Sequence, residues 1–304
     1  MQAVPAVFFL SDYGLVDEFV GVVHAVVHRL APGVPVIDLT HQVPSFDVAA
    51  AARVLERATP YLGEGVVLAV VDPGVGSDRR GVALELGCDT GPRWMVGPDN
   101  GLLLPAADLL GGPRRAVALP GASTFDGRDV FAPAAAHLAG GRPLADLGPS
   151  VGVDALAALA GCRTTVSVTD GVLTTSVTWV DGYGNVQLEG DGRAWEQLEV
   201  ALGATVLVDL EPARSVPSDD HGGRRPVGEP RSPSGRQVRD RQVQGRQVRA
   251  RRVSAYSSLE PDELGLILDA NGHHALVLDR ASAASALGET VPGTVVRVRV
   301  QAED

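Results

Sequence analysis

Over the first 160 positions, short and nearly unbroken apolar runs alternate with longer stretches of helical spacing. PAVFFL (5–10), VPVIDL (34–39), VVLAVV (66–71) and GVALEL (81–86) have the apolar continuity of strands covered on both faces, and a shorter strand is expected from Trp94 to Val96. Between the first two runs, EFVGVVHAVVHRL (18–30) places apolar residues at 19, 20, 23, 26, 27 and 30, which predicts an amphipathic helix. A second helix is predicted from Asp47 to Thr59, with Asp47 as its N-cap, and a third from Asp129 to Ala139. Strands alternating with helices give an α/β domain whose sheet is largely parallel and flanked by helices.

Beyond residue 160 the period shortens. TTVSVTDGVLTTSVTWVDGYGNVQLEG, GLILDANGHHALVL and GTVVRVRVQ carry β-branched alternation punctuated by turn residues, the signature of a smaller antiparallel, barrel-like β domain. The expected division is therefore 1–160 and 161–304. Within the second part, residues 213–253 hold 11 arginines against four acids and contain no aromatic residue and no Leu, Ile or Met. Such a segment buries too little apolar surface to offset its ordering entropy, so disorder is expected across it.

Composition narrows the function classes. All 26 basic residues are arginines, which excludes Schiff-base chemistry and a phosphate-loop lysine, and the net charge of −11 argues against general nucleic-acid binding. The longest apolar runs fall far short of the roughly 20 residues that span a bilayer. No charged leader precedes the first strand, and Cys88 and Cys162 lack metal-ligand spacing; both points suggest a cytoplasmic protein.

The segment with most chemical content is VVDPGVGSDRRGVALEL (70–86). An apolar strand ends beside a carboxylate, Asp72, a glycine-rich loop follows, and Arg79 and Arg80 close it. In open α/β sheets ligands sit beyond the carboxyl ends of strands, so an acid and a guanidinium on this loop can face one ligand and tune each other's charge. The same residues would also serve as a structural loop with an ion pair.

Several segments together resemble the S-adenosyl-L-methionine hydroxide adenosyltransferases, relatives of the fluorinating and chlorinating adenosyl halide synthases. They are FFLSDYGLVDEFVGVVHAVV, VIDLTHQVPSFDVAAAA, VVDPGVGSDRR, MVGPDNGLL, STFDGRDVFAPAAAHLAGG, WVDGYGNV and, more weakly, AYSSLEPDELGLILDANG. The resemblance implies attack of water or hydroxide on the ribose C5′ of S-adenosylmethionine, releasing adenosine and L-methionine, with no cofactor. It also implies a homotrimer whose ligand lies between the α/β domain of one subunit and the β domain of its neighbour. By motif position, Asp12 would hold the ribose diol, and Phe46, Phe125 and Tyr183 would face the adenine or the sulfonium. Asp181 and Asn185 would contact the methionine head and the adenine. Asp72 and Arg79 match two of the residues that polarise the attacking water, and an acid at Asp72 separates this chain from the halide users, which carry tyrosine there.

Two departures stand out. The family's TFHGRD reads TFDGRD here, so Asp126 occupies the position of a catalytic histidine, and an Asp–Arg–Asp arrangement is expected in which two carboxylates crowd one water. A serine usual in the family is Ala270 here. Two rival readings remain: a non-catalytic S-adenosylmethionine or adenosine binder, and a metal-dependent nucleoside hydrolase suggested by Asp12 and Asp17 after the first strand. His24 and His28, four apart with Asp38 and His41 nearby in sequence, have metal-compatible spacing, yet with no third ligand set by spacing ordinary helical packing is expected and no metal site is assigned. His137 is expected to be structural, and His273 and His274 to flank a turn.

Overall fold

The computed structural model describes residues 5–121, 123–159, 166–190, 192–211, 246–288 and 290–301. The chain divides into two compact units, Met1–Cys162 and Arg163–Asp304.

The first unit is a seven-stranded sheet: β1 (Ala6–Ser11), β2 (Val36–Thr40), β3 (Gly65–Val70), β4 (Gly81–Leu86), β5 (Pro92–Pro98), β6 (Pro113–Leu119) and β7 (Ser150–Val151), in the order β2-β1-β3-β5-β4-β6-β7. The pairs from β2 to β5 are parallel; those from β5 through β4 and β6 to β7 are antiparallel. Helices α1 (Phe19–Leu30) and α2 (Val48–Ala58) make the crossovers, followed by α3 (Leu104–Leu109) and α4 (Ala132–Ala139). Every residue of β1 and β3 is buried, as continuous apolar runs require. Val7 and Phe9 join the core formed with α1 and α4; Phe8 and Leu10 are equally buried and, by strand alternation, point to the opposite face. The alanines of α4 let α1 approach closely, so that Val23, Val26 and Val27 are buried, each contributing about 1.5–3 kcal/mol. Asp47 caps α2 as expected, accepting from the Ala50 N–H at 2.9 Å.

This topology sets the site. Ser11 of β1 lies in register with Val70 of β3. Asp12 and the Asp72 loop therefore leave neighbouring parallel strands at the same sheet end, where ligands bind in such folds.

The second unit is a closed barrel. It comprises β8 (Ser167–Thr169), β9 (Val172–Val180), β10 (Val186–Leu188), β11 (Thr205–Glu211), β12 (Arg246–Arg252), β13 (Gly265–Leu268), β14 (His274–Val277) and β15 (Val295–Val300), with short helices α5 (Gly192–Gln197) and α6 (Ala283–Ala286). The ring runs β10-β14-β13-β12-β11-β15-β9 and closes on β10, leaving β8 as an appended edge strand. Leu173, Val177, Val186, Leu188, Val208 and Val298 are among the side chains that fill it.

The structure revises three expectations. Disorder does not extend across 213–253: residues 246–252 form β12, hydrogen-bonded to β11 and β13, because alternation in RQVRARRV turns Val248 and Ala250 toward the barrel core and Arg249 and Arg251 to the opposite face. Residues 213–245 lie outside the described residues, as does Cys162. The helix expected from Asp129 starts earlier, as a π-turn at Gly127–Phe131 that runs into α4. Finally, His24 does not simply pack within its helix; its ring meets Asp38 across the sheet edge at 2.7 Å, while His28 is exposed. His137 is half-buried on α4, and His274 stacks on Trp195 at 4.0 Å between ring centroids. Among the described residues no helix is long and apolar enough to cross a membrane.

Candidate active site

Asp72 follows β3 by two residues, and its loop is wound by local hydrogen bonds. Gly74 N–H donates to Asp72 Oδ1 at 3.1 Å, Ser77 N–H to Gly74 O at 3.1 Å, and Arg79 N–H to Ser77 Oγ at 3.2 Å. The winding returns the Arg79 guanidinium to the carboxylate that began the loop. Arg79 Nε donates to Asp72 Oδ1 at 3.0 Å and Nη2 to Asp72 Oδ2, a two-pronged contact of the kind favoured between guanidinium and carboxylate. The same Nη2 donates to Asp126 Oδ2 at 2.8 Å, and Asp126 Oδ1 accepts from Ser123 N–H at 2.7 Å. The three side chains are only 10 % (Arg79), 7 % (Asp72) and 6 % (Asp126) exposed, so one cation bridges two desolvated acids. Phe131 supports the guanidinium from its ring face, 5.4 Å from the centroid.

Burial pushes the Asp72 carboxyl above the ordinary carboxylate range; Arg79 and the Gly74 N–H pull the other way, and the charge of Asp126 adds to the rise. Beside it the Tyr13 phenol is raised by burial and then by Asp12, Asp72 and Asp126, which keeps it a neutral donor.

A cavity of about 310 Å³ opens onto this cluster, its lining including Asp12, Phe46, Asp72, Val75, Phe125 and Asp126. Four predicted site residues thus meet there with Asp126, while Arg79 braces the two acids. Asp12 Oδ2 accepts from the Phe46 N–H at 2.8 Å, linking the ends of β1 and the β2–α2 loop. Phe46 is held at φ 66° and is 67 % exposed, an unusual backbone for a bulky residue of the kind that collects at binding sites. Three rings form one wall: Tyr13 to Phe125 at 5.6 Å, Tyr13 to Phe19 at 5.9 Å and Phe19 to Phe125 at 5.2 Å, all edge-on. Tyr13 and Phe19 escaped sequence reasoning, although both lie inside a motif it singled out. Of the two arginines in the loop, Arg80 turns away to bind Asp99 at 2.6 Å and the Ala155 carbonyl at 2.7 Å.

Asp181, Tyr183 and Asn185 belong to the second unit. Asp181 shapes its own turn: Oδ1 accepts from the Tyr183 and Asn185 N–H groups at 2.9 Å each, and Oδ2 from Asn185 Nδ2 at 2.8 Å. Gly184 sits at φ +83°, and a Cβ there would lie 2.1 Å from Ser282 Oγ, so the turn requires glycine. Tyr183 and Asn185 line a second cavity of about 520 Å³ with Tyr256, Asp279, Arg280 and Ser282. Ala270 is exposed on the β13–β14 turn and is absent from that lining.

Residues 7–148 match the model of the SAM hydroxide adenosyltransferase N-terminal domain. Over 98 % of its length the chain is 40 % identical to the (R)-S-adenosyl-L-methionine hydrolase of Salinispora tropica, covering 99 % of that protein. A second hydrolase of that name, from Thermus thermophilus, is 54 % identical over half of the chain and 64 % of its own length. Among solved structures, an uncharacterized conserved protein from Thermotoga maritima superposes with a TM-score of 0.76 at 27 % identity, over 96 % of this chain and 99 % of that one.

Proposed function

The chain belongs to the SAM hydroxide adenosyltransferase family, and from that premise we propose that it hydrolyses (R)-S-adenosyl-L-methionine to adenosine and L-methionine. Water attacks the ribose C5′, the C5′–S bond breaks, and the sulfonium leaves as the neutral thioether of methionine. One proton is released. The substrate carries its own leaving group, so the displacement needs no cofactor.

The observation that carries this reading is the pair of buried carboxylates bridged by Arg79 at the floor of an aromatic-walled cavity. Asp72 takes the proton of the attacking water; its raised pKa makes it a stronger base than an ordinary carboxylate. Arg79 orients Asp72 and limits repulsion from Asp126. Asp126 completes the water site in place of histidine, and a carboxylate standing where an imidazole is expected lowers the rate. Asp12 accepts from the ribose hydroxyls. Phe46 and Phe125 flank the adenine or sulfonium, whose charge favours ring faces and nearby acids. Asp181, Tyr183 and Asn185 serve the methionine head and adenine from a neighbouring subunit of a homotrimer, in the cytoplasm.

Incubating the purified full chain with S-adenosylmethionine, with and without halide and chelator, tests the proposal through the nucleoside formed. Equimolar adenosine and methionine, insensitive to halide and chelator, is the expected result. A 5′-halogenated nucleoside, free adenine, or saturable binding without product would each overturn it. Turnover unchanged in Asp126→His would remove Asp126 from the machinery.

A further inference from the structure

Outside the cavity described above, the structure brings three ligand-type side chains together where sequence spacing alone left them unassigned. His24 comes from α1, Asp38 from the edge strand β2, and His41 from the residue just beyond β2. His24 Nε2 lies 2.7 Å from Asp38 Oδ1, and His41 Nε2 lies 3.0 Å from the same oxygen. The ligand atoms of all three fall within 4.8 Å of one another. The second, independent observation concerns His41. Its side chain is 2 % exposed, and its buried Nε2 faces Asp38 Oδ1 at 3.0 Å without meeting hydrogen-bond geometry to any group. A buried ring nitrogen held in poor hydrogen-bond geometry is only partly satisfied, a deficit that an ion between it and the carboxylate would remove.

We propose that His24 Nε2, Asp38 Oδ1 and His41 Nε2 form a binding site for a divalent transition metal, with zinc the best match. Two imidazoles, one carboxylate and an open fourth position suit zinc, and imidazole favours it over magnesium or calcium. Ligands about 2.0–2.1 Å from a tetrahedral zinc stand about 3.3 Å apart, so Asp38 Oδ1 moves away from the two ring nitrogens by about 0.3–0.6 Å to admit the ion. The support behind the ligands fits as well. Ser11 Oγ lies 2.8 Å from His41 Nδ1, and a proton on Nδ1 donated to that oxygen leaves the Nε2 lone pair facing the ion. Phe9 packs on the His41 ring at 4.5 Å, holding its plane. His24 and Asp38 are 36 % and 41 % exposed, which gives the ion its entrance and its fourth ligand, a water.

The role this geometry supports is structural. The ion ties α1 to the sheet edge and braces Ser11, next in sequence to Asp12. It lies outside the reaction, so a chelator lowers thermal stability without changing the nucleoside product.

The test uses the full-length protein stripped by chelator and titrated with Zn(II) by calorimetry and with Co(II) by absorption spectroscopy. One equivalent per chain is expected, with the intense visible bands of four-coordinate cobalt and a melting temperature that rises with zinc. His24→Gln and Asp38→Asn, both at partly exposed positions, are expected to abolish saturable binding while keeping the circular dichroism spectrum. His28→Gln, one turn along α1, keeps it, and Ser11→Ala weakens it about 10–100-fold through the lost orienting bond. Absence of stoichiometric binding, or binding that survives both His24→Gln and Asp38→Asn, would overturn the proposal.

Discussion

Replacing Arg79 with methionine keeps an unbranched apolar stem and deletes the guanidinium and its charge between Asp72 and Asp126. At the 2.8 Å separation of Arg79 Nη2 and Asp126 Oδ2, Coulomb attraction is about 6 kcal/mol at an effective dielectric constant of 20. The cost of burying the guanidinium offsets part of this, and removing one member of a buried ion cluster costs about 3–5 kcal/mol in measured cases. The loss should depend on pH with a definite sign. Burial already makes the Asp72 carboxyl, at 7 % exposure, harder to ionise in the folded protein than in the unfolded chain, where its pKa is about 3.9, and losing the cation adds to that rise. The folded state then holds a proton that the unfolded state has released, so stability falls as pH rises through the raised folded value. Arg79→Met should sit close to wild type near pH 4 and about 3–5 kcal/mol below it at pH 8. Urea denaturation at a series of pH values, with the transitions of the two units fitted separately, measures the gap. A gap under about 1 kcal/mol at pH 8, or one independent of pH, would refute the account of a cation holding two desolvated acids together.

Three further outcomes follow from the same geometry. Because the charge of Asp126 helps raise Asp72, Asp126→Asn should move the acid limb of the kcat/KM profile to lower pH, and an unmoved limb would show that the two acids are not coupled. A Cβ at Gly127 would lie 2.0 Å from Tyr13 Oη and 3.1 Å from Phe125, so Gly127→Ala should cut kcat/KM about 100-fold with little change in circular dichroism; retained activity would mean the aromatic wall has slack. Burial first, and then Arg252, lowers the His274 pKa to about 4, so between 6.5 and 4 the unfolded chain takes up a proton that the folded barrel refuses. The barrel should lose about 2–3 kcal/mol as pH falls through that window, and His274→Phe should flatten the slope in pH-dependent unfolding.

Much of the first unit was legible because its signals are local. The apolar runs of β1 and β3, the period of α1 and the Asp47 cap each depend on neighbours in sequence, and all were readable. The Asp72–Arg79 contact was readable too, since seven residues of glycine-rich loop can return only a short way. What escaped was set by pairings distant in sequence. The insertion of β5 between β3 and β4, and the pairing of β15 with β9, leave no trace in any window of ten residues. Strand β12 was hidden because its inward positions are only Val248 and Ala250, amid arginines that suggest disorder by composition. The His24–Asp38–His41 cluster depends on packing α1 against the sheet edge, which helical spacing alone cannot supply.

The barrel carries a consequence for how this chain tolerates insertion. Strands β11 and β12 are antiparallel neighbours, with Leu210 opposite Arg246, so the stretch between them departs from and rejoins the rim at adjoining points. Joining two such points through a long tether instead of a tight hairpin costs only about 0.6 kcal/mol for each doubling of its length. By that scaling the 34 positions 212–245 cost only roughly 2 kcal/mol more to close than a two-residue turn, so evolution can lengthen, shuffle or erase them without altering a single inter-strand pairing. A version shortened to a two-residue turn should still close its ring.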